Sequence, residues 1–205
     1  MKLSIVTTVL NRADTIGDTL QSVGAQTYLD VEHIIQDGGS TDGTLDILNA
    51  MAGPRTRIES APDTGVYHGL NRGIARAAGD VVGVLHSDDV FSDARVLSRV
   101  ACVMADPNID GVYGDLCYVS ALDPDRIVRT WRAGVFARQK LRYGWMPPHP
   151  TLFLRRVVFD RLGPYDTRYR IAADYDAMLR YLVRGNLRLA YIPTELVRMR
   201  MGGGE

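Results

Sequence analysis

An α/β fold, with a mostly parallel sheet and helices on both faces, is what this chain of 205 residues predicts. Three observations predict it. Short β-branched runs at Leu3 to Thr8 and Val31 to Gln36 flank a segment whose apolar residues fall at helical spacing, which is a β-α-β unit. The alternation of strand and helix then continues to about residue 105, and such regular alternation places crossover helices on the sheet faces. Finally, the apolar run Val81-Val82-Gly83-Val84-Leu85-His86 breaks directly into Ser87-Asp88-Asp89. A buried parallel strand does this when its carboxyl end delivers polar groups into the crevice where open α/β sheets place their ligands.

In chain order, Ala13 to Ala25 is predicted as a helix because Ile16, Leu20 and Val23 share one face. A helix from Thr41 to Met51, a weak strand from Arg57 to Ser60 and a helix from Val66 to Ala77 lead to the strand ending at His86. A helix from Ser92 to Ala105 follows, and the rhythm changes at Pro107. Gly111 to Val119 reads as a strand and Leu122 to Arg132 as a turn and strand. Trp145 to Pro150 reads as an extended loop, since its prolines disfavour helix. A strand at Thr151 to Leu154, a short helix to Leu162, a longer helix from Ala172 to Arg184 and two strands, Leu187 to Ile192 and Leu196 to Met201, complete the pattern. Gly202-Gly203-Gly204-Glu205 reads as a frayed or truncated end. The length suits one domain, residues 1–205, divided at Pro107 into a first part (1–106) and a second (107–205).

The composition, 46% hydrophobic and 23% charged with no apolar run near the roughly 18 residues of a membrane span, predicts a soluble globular chain. The N-terminus lacks the apolar core and cleavage site of a signal peptide, which predicts a cytoplasmic location. Cys102 and Cys117 have no metal-ligand spacing and read as buried thiols. Net charge is zero but unevenly spread. Residues 1–125 hold 18 Asp/Glu against 8 Lys/Arg, and residues 126–200 hold 5 against 16. An acidic first part suits a metal, and a basic second part suits phosphates, an anionic acceptor or an anionic membrane surface. The other reading is that the excess arginines pair with acids of the first part. Nucleic acid is disfavoured, because the basic residues come without a recognition module.

Asp88 and Asp89 repel one another unless they share a cation, and a divalent ion with oxygen ligands meets that need. A helix cap at Ser87 or Asp88 is the alternative. The second strand also ends in a carboxylate followed by glycines, Gln36-Asp37-Gly38-Gly39-Ser40-Thr41-Asp42-Gly43-Thr44. There Asp37 is placed to accept a hydrogen bond from a nucleobase N–H, or simply to close an Asx-turn while Ser40 caps the helix. The segment is neither Gly-x-Gly-x-x-Gly nor a Walker loop.

Six segments occur in one order: Thr7-Thr8-Val9-Leu10-Asn11-Arg12, Asp37 to Thr44, Asp63-Thr64-Gly65-Val66-Tyr67 with Asn71-Arg72-Gly73, Ser87-Asp88-Asp89, His149-Pro150-Thr151, and Ile171-Ala172-Ala173-Asp174-Tyr175-Asp176. In this order the chain resembles the family 2 glycosyltransferases of GT-A fold, notably the bacterial branch that builds O-antigen, capsule and other surface polysaccharides. That fold is a Rossmann-like, mostly parallel sheet with a smaller acceptor-side β/α portion. The resemblance implies transfer of one sugar from a nucleoside-diphosphate-sugar to a hydroxyl of a glycan or lipid-linked glycan, with inversion. It makes residues 1–106 the nucleotide-binding part and 107–205 the acceptor side. Thr7, Asn11 and Asp37 would line the nucleoside pocket, with Asp63 and Arg72 near it. Asp88 would face the ribose or the metal, and Asp89 would be the principal ligand of Mg²⁺ or Mn²⁺. His149 reads either as a structural imidazole or, between prolines in an extended loop, as a group that approaches the metal or diphosphate. Asp174 would be the general base. By its position alone, Asp174 reads as a carboxylate complementing a helix N-terminus. Tyr67, Trp145 and Tyr175 read either as sugar-stacking or as core aromatics. A lipid-linked acceptor would bring the arginine-rich part, including Arg138, Lys140 and Arg142, against the inner face of the cell membrane. The rival class is a non-catalytic nucleotide-sugar binder within a glycan assembly complex.

Overall fold

The computed structural model describes residues 1–202. Residues 203–205, most of the segment read as a frayed end, lie outside the described residues. Strands β1 (Leu3–Val9) and β2 (Val31–Asp37) are buried along their whole length and pair in parallel, Leu3 against Val31 through Val9 against Asp37. Burial on both faces is why their sequences are continuous apolar runs rather than alternating ones. β3 (Thr56–Ser60) adds outside β2, and β4 (Val81–Val84) adds on the other side of β1, both in parallel. Beyond β4 the sheet continues with β8 (Phe153–Arg155), β6 (Gly111–Val119), β9 (Leu189–Arg200) and β5 (Val90–Phe91), while β7 (Ile127–Trp131) pairs with the end of β6.

The α/β class therefore holds, and its parallel order is carried by β3-β2-β1-β4 and by the β6–β9 pair. β8 runs antiparallel to β4 and β6, β5 to β9, and β7 to β6. For β7 the cause is local. Crossovers long enough for a helix return the chain in parallel in the first part, whereas the short connection Ser120 to Arg126 allows only an antiparallel return.

Helices α1 (Ile16–Gly24), α2 (Thr44–Met51) and α4 (Val96–Met104) cover one face, packing Ile16, Leu20, Leu48, Leu97 and Val100 on Leu3, Ile5, Val9 and Ile35. Helices α3 (Val66–Ala75), α5 (Arg156–Leu162) and α6 (Ala173–Leu179), the last continuing through a wider turn at Arg180–Arg184, cover the other. They pack Leu70, Ile74, Phe159 and Met178 on Val6, Ile34, Val82 and Val84. No helix among the described residues is long and apolar enough to cross a membrane.

Several elements differ from expectation for identifiable reasons. The last two predicted strands are one strand, β9. Its register against β6 shifts at Asp115, between Ile192 and Val197, where Pro193 cannot donate to the ladder. The helix expected from Ser92 starts at Val96, because Val90–Phe91 first pair with β9, the Ser92 hydroxyl donates to the Glu195 carbonyl, and Asp93 accepts the Arg95 N–H across the turn that follows. Helix α2 starts at Thr44 with Gly43, at φ 97°, and not Ser40, in the cap position, while Asp42 just ahead of it accepts the Thr44 N–H on Oδ1 at 3.0 Å. Within the loop expected to be extended, His149–Thr151 forms a tight helical turn, since a proline inside the first turn has no N–H to leave unpaired. Cys102 is exposed rather than buried, on the outer side of α4, and Cys117 is buried on β6.

Candidate active site

The loops that leave β1 and β2 are stapled together at the carboxyl edge of the sheet. The Asn11 N–H donates to Ser40 Oγ at 2.8 Å, and Asn11 Oδ1 accepts the Thr41 N–H at 2.9 Å. Arg12 and Ala13 donate their N–H groups to Thr44 Oγ1 and Asp42 Oδ2. Asn11 has φ 51°, a left-handed conformation that asparagine tolerates better than most residues.

Asp37 is 0% exposed. Its carboxylate accepts the hydroxyls of Ser40 and Ser60 at 2.5 and 2.6 Å and the N–H groups of Gly39 and Ser40 at 3.0 and 3.1 Å. The Asx-turn therefore forms, and the oxygens offered for a base N–H are occupied by the protein's own donors. Thr7 requires a correction. It is fully buried, its hydroxyl donates to the Leu85 carbonyl at 2.7 Å, and the ring of His33 lies 2.9 Å away. Because Thr7 has already given its one proton, His33 Nε2 is assigned the proton of that second bond. Thr7 locks β1 to β2 and β4 from inside and does not reach a pocket surface.

Asp63 follows β3, and its Oδ1 accepts the Gly65 N–H at 3.0 Å. A Cβ on Gly38 or Gly69 would stand 3.0 or 2.9 Å from Asp63 Oδ2, so the two glycines make room for that carboxylate between the second loop and α3. Arg72 donates to Glu59 at 2.6 Å and to the Ala61 carbonyl at 3.3 Å, bracing the segment that leads to Asp63.

The adjacent carboxylates behind β4 are not equivalent. Asp89 is 1% exposed and turns inward, where its Oδ1 accepts the Arg200 N–H at 3.3 Å and its Oδ2 finds no hydrogen-bond partner among the described residues. Burial, reinforced by the charge of Asp88, pushes its carboxyl well above the usual range. Arg200 in turn reaches Asp18 on α1. Asp88 is half-buried, and its carboxylate takes no hydrogen bond from another described residue.

The sheet's second part brings further groups to this edge. Ala172 has φ 67°, and the strained turn it makes starts α6 so that Asp174 sits in the first helical turn. Asp174 Oδ1 accepts the Tyr67 hydroxyl at 3.0 Å. His149 Nε2 lies 2.7 Å from the Tyr165 hydroxyl, and the His86 and His149 rings are 5.8 Å apart. Desolvation lowers His149 to about 4, with the neighbouring His86 lowering it further and Asp174 opposing. His86 is also lowered by desolvation, against the charges of Asp88 and Asp174. Both imidazoles are therefore neutral at pH 7. Hydrogen bonds and ring contacts link the end of β4, the 149–151 turn and the start of α6 into one cluster, Tyr67, His86, His149, Tyr165 and Asp174, with Asp88 beside it and acting on His86 through its charge. Asp174 also lines a narrow cavity with His149 and Tyr165 over the apolar floor of Val82 and Val84.

Of this cluster, His86 and Tyr165 were not singled out by sequence. His86 looks like the last residue of an apolar strand, and Tyr165 follows a Gly-Pro turn with no motif to mark it. Trp145 donates Nε1–H to the Ala133 carbonyl and packs on Phe136 and Tyr113, a core role, while Tyr175 stays exposed. Among the described residues, Arg198 with Asp125 and Arg200 with Asp18 are the ion pairs joining the basic part to acids of the first part. Other arginines there, such as Arg155, Arg156 and Arg180, instead cap backbone carbonyls.

The family model described as Glycosyl transferase family 2 matches residues 4–163. The chain is 35% identical over 205 residues to a PGL/p-HBAD biosynthesis glycosyltransferase of Mycobacterium tuberculosis, covering 98% of this chain and 77% of that protein. Its fold is similar to the crystal structure of Staphylococcus aureus TarS 1-349 in complex with UDP. The TM-score is 0.77 and the identity 19%, over 98% of this chain and 61% of that one. It is also similar to the mannosyltransferase PcManGT from Pyrobaculum calidifontis in complex with GDP-Man and Mn²⁺. Here the TM-score is 0.71 and the identity 19%, over 94% of this chain and 55% of that one.

Proposed function

The chain belongs to glycosyltransferase family 2 and has the GT-A fold, and from that premise we propose that it transfers one sugar, with inversion, from a nucleoside-diphosphate-sugar to a hydroxyl of a glycan or lipid-linked glycan of the bacterial surface. The observation that carries this reading is the convergence of Asp174 and Asp88 on one cluster from opposite parts of the sheet. In the proposed step the acceptor oxygen bonds to the anomeric carbon while the bond from that carbon to the diphosphate oxygen breaks. The electron pair leaves with the diphosphate, and the acceptor proton passes to Asp174. Neutral His86 and His149 flank the path of the departing diphosphate as hydrogen-bonding groups. The loops fixed by Asp37, Asn11 and Asp63 form the nucleoside pocket, with Asp37 acting by holding its loop and Arg72 by bracing the approach to Asp63.

Among the described residues no three His, Cys, Asp or Glu side chains converge as a metal cluster. A Mg²⁺ or Mn²⁺ ion held by one carboxylate plus substrate phosphates needs no such cluster, and the unpartnered carboxylate of Asp88 fits that demand. The ion is accordingly assigned to Asp88, and Asp89, taken from sequence as the principal ligand, becomes a buried brace to Arg200. When bound, the cation neutralises charge on the departing diphosphate.

TarS binds UDP and PcManGT binds GDP-Man with Mn²⁺, so UDP, GDP and dTDP are the nucleotides to titrate calorimetrically, each with and without Mn²⁺. One of them is expected to bind with metal, to lose that binding in Asp88→Ala and to keep it in Asp89→Asn. Asp174→Asn is expected to abolish transfer and spare donor binding. Absence of binding by all three, or binding indifferent to Asp88, would overturn the assignment.

Residues 126–159 hold eight Lys/Arg and no Asp/Glu, which suits a lipid-linked anionic acceptor and peripheral contact with the membrane's inner face. Arg142 is exposed, while Arg138 is tied to Asn186 and Lys140 lies over the Trp145 ring. Flotation with anionic vesicles is expected to vanish when these three charges are reversed, and no association at low salt would sink this part of the reading.

A further inference from the structure

We infer that Tyr67 is a positioning residue for Asp174, held there by a rigid face of α3 so that one carboxylate oxygen is fixed and the other is free to take the acceptor proton. This rests on the reading of Asp174 as general base. The Tyr67 hydroxyl donates to Asp174 Oδ1 at 3.0 Å, and no other described residue donates to that carboxylate. Asp174 lies in the first turn of α6, so through this bond Tyr67 is tied to the start of that helix.

What makes this contact a device is the element that bears it. Tyr67 and Asn71 lie one helical turn apart on α3, on the same face. Asn71 clamps the backbone of Tyr165 from both sides, donating Nδ2–H to its carbonyl at 2.8 Å and accepting its N–H at 3.0 Å. The Tyr165 ring packs 5.7 Å from that of Tyr67 and its hydroxyl meets His149. One helix of the nucleotide-binding part thus holds two groups of the acceptor side at once. The same helix begins directly after the Asp63 to Gly65 turn. Burial, and secondarily the charge of Asp174, push the Tyr67 phenol above its ordinary value, so its proton stays in the bond at neutral pH.

Two readouts test this. In protein carrying ¹³Cζ-labelled tyrosine, the Tyr67 resonance, identified by its loss in Tyr67→Phe, is expected to titrate at lower pH in Asp174→Asn than in the unmodified chain. An unmoved titration would overturn the contact. The second readout is diphosphate release with water as acceptor, from UDP-GlcNAc and GDP-Man. Tyr67→Phe is expected to lower kcat roughly 10- to 100-fold with the donor KM unchanged, the scale of a misplaced reacting group. In an Asp174→Asn background the same change is expected to add nothing, because the two residues act as one unit. A Tyr67→Phe protein with unchanged kcat, or with KM alone raised, overturns the positioning role and leaves the base intact. An Asp174→Asn protein with full turnover overturns the base instead. If neither donor is turned over by the unmodified chain, that counts against sugar transfer, and the titration still decides the contact.

Discussion

At the scale of single residues, the site depends on which polar groups are already satisfied. Thr7 and His33 share a hydrogen bond inside the sheet, so Thr7→Val leaves an imidazole N–H and the Leu85 carbonyl without their partner. An unfolding free energy lower by about 1–3 kcal/mol in urea is expected, with donor binding unchanged. A loss of donor binding without loss of stability would instead return Thr7 to the pocket wall. Protonation follows the same logic. Burial lowers both His33 and His149 to about 4, below the ordinary value of 6.5. As pH falls, the unfolded chain takes up these protons near 6.5 and the folded chain only near 4, so stability is lost progressively across that window and is flat above it. Asp89 acts with the opposite sign, since its raised carboxyl contributes stability at low pH that is lost as pH rises, and the two imidazoles outnumber it. The Tm is expected to drop between pH 6.5 and 4, with a shallower slope in His33→Gln. A slope in His33→Gln equal to that of the unmodified chain would mean that His33 is not held neutral.

At the scale of elements, close approach governs how α3 carries its clamp. A Cβ on Gly73 would lie 2.4 Å from Val6 Cγ1, a clash that requires the fully buried Val6 side chain to rotate in the core or the helix or strand to shift. Alanine is favoured over glycine in a helix by about 1 kcal/mol, whereas overpacking a core costs about 1–3 kcal/mol. Overpacking prevails, so Gly73→Ala is expected to destabilise the protein and to lower kcat through the displaced Tyr67. A more stable variant with normal turnover would show that α3 has slack. The apolar spacing of α3 is legible in sequence. The need for glycine is not, since it depends on how near β1 lies.

At the scale of the whole molecule, β4 and the start of α6, some 90 residues apart in sequence, meet because β8 and β6 extend the parallel half of the sheet sideways. Ligand spanning that edge stabilises the folded chain by mass action, about 2.7 kcal/mol at 100 times Kd. For a domain of this size the expected rise in Tm is about 5–10 °C. It is expected with Mn²⁺ and one of the three diphosphates, and to disappear in Asp88→Ala. Equal shifts with all three nucleotides would show that the pocket reads the diphosphate and not the base.

The sequence alone determined the α/β class, the crossover helices of the first part and the carboxylates at strand ends, because strand and helix periodicity and the polar breaks are local properties of the chain. The order of six motifs likewise carried the family. Tertiary structure decided what local pattern does not encode. It turned Asp89 inward to Arg200 and left the half-buried Asp88 carboxylate without a hydrogen bond from another described residue, since only packing decides which of two neighbouring side chains turns inward. It saturated Asp37, buried Thr7, joined the last two predicted strands across Pro193, and brought Tyr67 to Asp174 and Tyr165 to His149. Contacts between residues so far apart in the chain leave no periodic trace, and they exist only once the sheet has set its strands side by side.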